Sequence, residues 1–179
     1  MKHFKDKVVV ITGAATGMGA AYAREFLKLG ARVGICDIQA DKLKRTKKDL
    51  LQSHEKAVLY SEVVDVSDRK AVFDFADHVK QELGNCHVII NNAGIEGAVR
   101  PIYNMEISEI DHVMNVNFWS VVYGTKAFLP QLVANNEGAV VNVSSIFGLV
   151  GTPNNGDYCA SKFAVRGFTE SLMTEFEES

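Results

Sequence analysis

Tyr158 and Lys162, four residues apart in YCASK, are the pair best suited to moving a proton. On a helix that spacing puts both on one face, so their tips converge on one point. A tyrosine hydroxyl ordinarily ionises near pH ~10, too high for a base at neutral pH, and a nearby ammonium favours the phenolate. Lys162 is therefore a candidate tuner of Tyr158, although such a pair standing alone is more often surface decoration. A second feature suits a different task. TGAATGMG, residues 12–19, follows the apolar run VVVIT and puts Gly13, Gly17 and Gly19 at a strand-to-helix turn. Glycines there let backbone N–H groups approach a pyrophosphate while the helix N-terminus faces its charge. Gly13, Thr16, Gly17, Met18 and Gly19 are the expected contacts of such a turn.

Asp37 closes the next apolar run, ARVGICD, where an acid can accept hydrogen bonds from both hydroxyls of an adenosine ribose. Against a 2′-phosphate the same carboxylate is repulsive, by about 4 kcal/mol at ~4 Å and an effective dielectric of ~20. NAD is the expected cofactor, and NADP is disfavoured. The other role open to Asp37 is a solvated cap ahead of QADKL.

The elements that must carry these residues can be read from hydrophobic pattern. Short β-rich runs are predicted over residues 8–12, 31–36, 57–64, 87–91 and 139–144, and helices over 17–29, 40–54, 69–83, 108–134 and 158–177. Strand and helix alternate, which predicts an α/β fold: a Rossmann-type doubly wound parallel sheet flanked by helices, in one domain over residues 1–179. VVVIT and HVII are almost continuously apolar, as suits strands buried on both faces. Pro101, Pro130 and Pro153 are expected in loops or at element ends.

Composition removes several classes of function. The 179 residues are 47% hydrophobic with a net charge of −3, and their lysines and arginines are scattered, so no basic field exists to hold nucleic acid. Three cysteines, Cys36, Cys86 and Cys159, lack the paired spacing of a zinc site or redox dithiol, and reduced thiols in a cytoplasmic protein fit best. The apolar stretch after MKHFKDK is too short for a membrane span or a leader. No histidine pairs with a serine in recognisable order and the G-x-S-x-G elbow is missing, which disfavours a hydrolase. His87, Trp119 and Cys159 are assigned to strand surface, helix packing or a subunit contact, and the neighbourhood of Tyr158, respectively.

Five motifs occur in order: TGxxxGxG at 12–19, NNAG at 91–94, Asn117 in NVNFWS, the paired serines Ser144 and Ser145 in VNVSS, and YCASK at 158–162. On these the chain resembles the short-chain dehydrogenase/reductase family, in its single-domain NAD(P)-dependent branch. The resemblance implies that Tyr158 exchanges a proton with the substrate oxygen while Lys162 also holds the nicotinamide ribose. Ser145, thirteen residues before Tyr158, would hydrogen-bond the substrate oxygen. Asn117 would connect Lys162 to solvent through a water, its alternative being an ordinary helical Asn near a bend. Asp65 and Val66 would contact the adenine, and Asn91, Ala93 and Gly94 the cofactor, although Asn91 can equally tie strands together. Phe147, Leu149 and Val150 are candidates for an apolar substrate wall. The implied activity is hydride transfer between NAD(H) and a small-molecule secondary alcohol or carbonyl. A homodimer or homotetramer through the two long helices is also implied.

The chain departs from the family pattern at its end. It stops at FEES, after the helix bearing Tyr158 and Lys162, so the expected sheet lacks the family's last strands and the fifth strand would be an open edge. A piece of a longer enzyme is the expectation. The second reading is a catalytically silent dinucleotide-binding or interaction protein without a substrate lid.

Overall fold

A computed structural model describes residues 3–54 and 56–177. Its centre is a five-stranded parallel sheet in the order β3-β2-β1-β4-β5. The strands are β1 (Val8–Thr12), β2 (Arg32–Asp37), β3 (Val58–Val63), β4 (Cys86–Asn91) and β5 (Ala139–Asn142). All five expected strands are present, each end within two residues of its predicted position. The helices are α1 (Gly17–Lys28), α2 (Ala40–Ser53), α3 (Arg69–Leu83), α4 (Ile107–Met114), α5 (Ser120–Ala134) and α6 (Gly156–Glu177). The architecture is the Rossmann type.

The alternation of side chains along β1 explains why both faces must be covered. Val9 and Ile11 join Ala23 and Leu27 of α1 and Leu43 and Leu50 of α2 in one core. Val8 and Val10 join Phe75 and Val79 of α3 and Phe128 and Leu132 of α5 in the other. Phe75 and Phe128 meet edge to face, 6.1 Å between centroids, and neither is more than 1% exposed. Asp68 starts α3 by accepting the N–H groups of Lys70 and Ala71 at 2.8 and 3.3 Å.

Three expectations need correction. The helix predicted over 108–134 is two helices joined by a turn of π-helix, Asn115–Trp119. Insertions of this kind concentrate at functional sites, and here the turn carries Asn117, which is fully buried. Pro130 lies inside α5, not at its end. Its ring costs the Lys126 carbonyl one backbone partner, which the surrounding packing tolerates. His87 does more than occupy a strand surface. The pairing of β1 with β4 skips it, since Val8 pairs with Cys86 and Val9 with Val88. The Val8 N–H freed by the skip donates to His87 Nδ1 at 3.2 Å. Burial and the Lys7 ammonium lower the His87 pKa, which keeps that acceptor neutral.

Strand order reverses direction around β1. Consecutive strands run outward from β1 to β3 on one side, and β4 returns to its other side. The C-terminal ends of β1 and β4 thus open a crevice at the topological switch point, where open α/β sheets bind ligands.

Candidate active site

The crevice is a cleft of about 430 Å³. Its wall includes Gly13, Thr16, Met18, Asp37, Asp65, Val66, Ala93 and Gly94, eight of the residues singled out by sequence. The turn after β1 approaches β4 closely. Gly13 has φ of +64°, and a Cβ there would stand 2.7 Å from Ala93 Cα. A Cβ on Gly19 would collide with the Gly13 carbonyl and stand 2.8 Å from Asn92 Nδ2. Thr16 precedes α1 without capping it by its side chain, and the first turn of α1 holds no acid. The Ala14 and Ala15 N–H groups are taken by the Cys36 carbonyl and Asp37, whereas those at the start of α1 meet no side-chain cap, and this helix N-terminus fits a pyrophosphate. Gly17, the first residue of α1, has φ of +57° and stands outside the cleft wall, as does the buried Gly19.

Asp37 is 7% exposed. One carboxylate oxygen accepts the Ala15 N–H at 2.9 Å and the other accepts the Gln39 N–H at 2.9 Å. The acid thus joins the phosphate turn to the start of α2 and lines the cleft as well, so both roles open to it from sequence meet in one side chain. Asp65 accepts from the backbone and hydroxyl of Ser67 at 2.9 and 2.7 Å, which folds the strand-to-helix turn at the cleft's rim. Val66 lies buried in the wall beside it.

Asn91 does not join this group. Its amide donates to Thr125 Oγ1 at 3.3 Å and Asn142 Oδ1 at 2.8 Å, and a Cβ on Gly124 would collide with its Oδ1. Asn91 is packed against α5 and β5, the strand-tying role, and its side chain is directed away from the cleft. Its neighbour Asn92, which sequence reasoning passed over, is in the wall. The Asn92 amide donates to the carbonyls of Thr12 and Gly13 at 2.9 and 3.0 Å. In return Thr12 Oγ1 accepts the N–H groups of Asn92 and Ala93, both at 3.1 Å. These four bonds lock the turn after β1 to the turn after β4. The only signal in sequence was the second Asn of NNAG.

Lys162 is 4% exposed. Its ammonium donates to the Val143 carbonyl at 3.0 Å and lies 5.6 Å from the Tyr158 ring centroid. Burial lowers the Lys162 pKa, as expected for a cation with few acceptors around it. A Cβ on Gly94 would be 3.6 Å from Lys162 Nζ and 3.2 Å from Asn117 Oδ1. The cleft wall at Gly94 therefore adjoins both side chains. Asn117 donates to the Ile95 carbonyl at 2.9 Å and to Ser161 Oγ at 3.1 Å, and its Oδ1 accepts the Ile95 N–H at 2.8 Å. The π turn is what directs Asn117 inward to make all three bonds.

The two serines lie just past β5, which ends at Asn142 and not at the expected residue 144, and their hydroxyls diverge. Ser144 donates to the Lys162 carbonyl at 3.0 Å, fixing the helix that carries the lysine. Ser145 is half-buried and accepts the Phe147 N–H at 3.2 Å, leaving its own hydroxyl proton free to donate. Phe147 meets Tyr158 edge to face at 6.1 Å, while Leu149 and Val150 are about half exposed beyond it.

A family model described as short chain dehydrogenase matches residues 7–179. The chain belongs to that family. SadH of Mycobacterium tuberculosis, named as an oxidoreductase, is 42% identical over 180 residues, covering 98% of this chain and 62% of SadH. A short chain dehydrogenase/reductase from Burkholderia phymatum, solved in complex with NAD, is 34% identical with a TM-score of 0.93, covering 98% of this chain and 62% of its own. A metagenomic short-chain oxidoreductase solved with NADP is 31% identical with a TM-score of 0.92, covering 98% of this chain and 78% of its own. Between them the two solved structures hold NAD and NADP. No helix among the described residues is long and apolar enough to cross a membrane.

Proposed function

We propose that this short chain dehydrogenase transfers hydride between NAD(H) and a secondary alcohol or carbonyl compound, with Tyr158 as general acid and base. When bound, the nicotinamide supplies or takes the hydride. The chain's own residues manage the proton and the charge. In the direction of reduction, Ser145 and Tyr158 donate hydrogen bonds to the substrate carbonyl oxygen, and the Tyr158 proton passes to that oxygen as its carbon is reduced. The phenolate left behind is stabilised by the Lys162 ammonium. Lys162 holds the nicotinamide ribose hydroxyls in this reading, and Asn117 links it towards solvent, from which the proton is restored. Oxidation of an alcohol runs the same steps in reverse.

One observation carries the proposal: a buried lysine lies beside the Tyr158 ring and adjoins, at Gly94, the end of a cleft shaped for a dinucleotide. The preference for NAD rests on Asp37, which is held in the cleft by two backbone N–H groups and would face a 2′-phosphate with a full negative charge. Three buried unpaired thiols suit the reducing cytoplasm. Exposed aromatic rings on the π turn and on α6, Trp119 and Phe163 at 43% each, support a homodimer or homotetramer formed through the long helices.

Tyr158→Phe tests the assignment. Turnover of secondary alcohols is expected to fall by ~100-fold or more, while NADH binding, read by nicotinamide fluorescence, stays within ~3-fold. Equal turnover by Tyr158→Phe would remove the tyrosine from the mechanism. The alternative, a silent dinucleotide-binding protein, predicts NADH binding with no turnover in either chain.

A further inference from the structure

The segment leaving β4 crosses from the π turn to the start of α6 as a strap tied at both ends. At one end Asn117 bonds both the N–H and the carbonyl of Ile95. At the other the Ala98 N–H donates to Asp157 Oδ2 at 2.9 Å, and Arg100 donates its N–H to the Asn154 carbonyl at 3.0 Å. Asp157 is 2% exposed and lies in the first turn of α6, where the helix N-terminus favours its charge. Its second oxygen accepts the N–H of Tyr158 at 2.7 Å. The fit is close, since a Cβ on Gly97 would collide with both Asp157 carboxylate oxygens and one on Gly156 would collide with Ile102.

We infer that Asp157 is a positioning residue that sets Tyr158 against Lys162 by gripping the 95–101 strap with one carboxylate oxygen and the Tyr158 backbone with the other. The inference rests on Tyr158 being the proton donor proposed above. The strap's far end supports it. Asn117 also bonds Ser161, the residue before Lys162. The strap therefore joins two anchor points on α6, one at Asp157 just before Tyr158 and one at Ser161 just before Lys162. Loosening either anchor lets Tyr158 shift while the adenosine end of the cleft, on the far side of β1, keeps its shape. Displacement of a reacting group by about 1 Å is enough to cost up to ~100-fold in rate.

Two substitutions act on the clamp from opposite sides. Asp157→Asn keeps the shape, but its amide accepts one N–H and opposes the other. Gly97→Ala changes no charge, and its added methyl pushes the strap off the Asp157 carboxylate. With NADH and a cyclic ketone as probes, kcat is expected to fall ~10-fold in each, with the NADH dissociation constant within ~2-fold. Gly97→Ala and Asp157→Ala should combine to less than the product of their separate losses, because removing the carboxylate opens the space the added methyl needs. Wild-type kcat in both variants, a loss of NADH affinity as large as the loss of kcat, or strictly multiplicative losses would overturn the role given to Asp157. If Tyr158→Phe itself turns over normally, the mechanism fails and the positioning role with it. If Tyr158→Phe is inactive while the clamp variants are not, only the positioning role fails.

Discussion

Asp37→Asn separates the two tasks that one carboxylate performs. The substitution preserves size, but an amide presents one acceptor and one donor where the acid presents two acceptors. Whichever way it turns, its NH2 group faces either the Ala15 or the Gln39 N–H, both now satisfied at 2.9 Å. Losing one hydrogen bond to a charged group costs about 1.5–3 kcal/mol. At ~2–4 °C per kcal/mol for a chain of this size, the melting temperature should drop by about 3–12 °C. The effect on cofactor choice follows from charge. A 2′-phosphate ~5 Å from the carboxylate is repelled by about 3 kcal/mol at an effective dielectric of ~20, and the open mouth of the cleft reduces this by solvent screening. The ratio of NADPH to NADH dissociation constants should therefore fall by about 10–100-fold, equivalent to ~1.4–2.8 kcal/mol. Nicotinamide fluorescence titrations with both dinucleotides, alongside thermal unfolding, measure the two effects on the same samples. A lowered melting temperature with an unchanged ratio would refute the discriminating role and leave Asp37 as a tie between the phosphate turn and α2.

The core and the β1–β4 skip give two further tests. Phe128→Ala empties a fully buried site between α3, α5 and the sheet, and urea unfolding should show a loss of about 3–5 kcal/mol. The His87 pKa is lowered in the folded chain, so the unfolded chain takes up its proton first as pH falls. The stability that neutral His87 contributes is present above its unfolded value near 6.5 and is lost as pH falls through the lower folded value. His87→Gln should flatten the slope of urea midpoint against pH below ~6.5, and identical slopes in the two chains would count against it.

What was legible in the sequence was what short-range pattern encodes. Apolar runs bounded by turn residues predict five strands in a parallel sheet, though not their order, and i, i+4 spacing puts Tyr158 and Lys162 on one face. The phosphate turn is equally local, a strand, three glycines and a helix in a dozen residues. What was illegible depends on partners far along the chain. Asn92 looks no different from Asn91 in NNAG, yet one locks the phosphate turn and the other ties β4 to α5 and β5, because successive residues at a strand end face opposite ways. Which of the two faces the cleft is decided by Gly124, which leaves room for Asn91 on the α5 side.

The π turn has the same origin. Nothing in NVNFW forbids a continuous α-helix, so periodicity alone joins α4 to α5. The extra residue is accommodated because Asn117, directed inward, satisfies both backbone groups of Ile95, which otherwise would have no partner where the strap leaves the cleft wall. Asp157 does the equivalent at Ala98, with an acid that in sequence reads as an ordinary helix-start residue. The loop between β4 and α4 thus has no regular structure over residues 92–100 yet is held at both ends by buried side chains. Those side chains come from the π turn and α6, the two elements that also carry Asn117, Tyr158 and Lys162. Coupling a loop's backbone to the helices that bear the reacting groups makes the geometry of the site depend on residues that never touch a substrate.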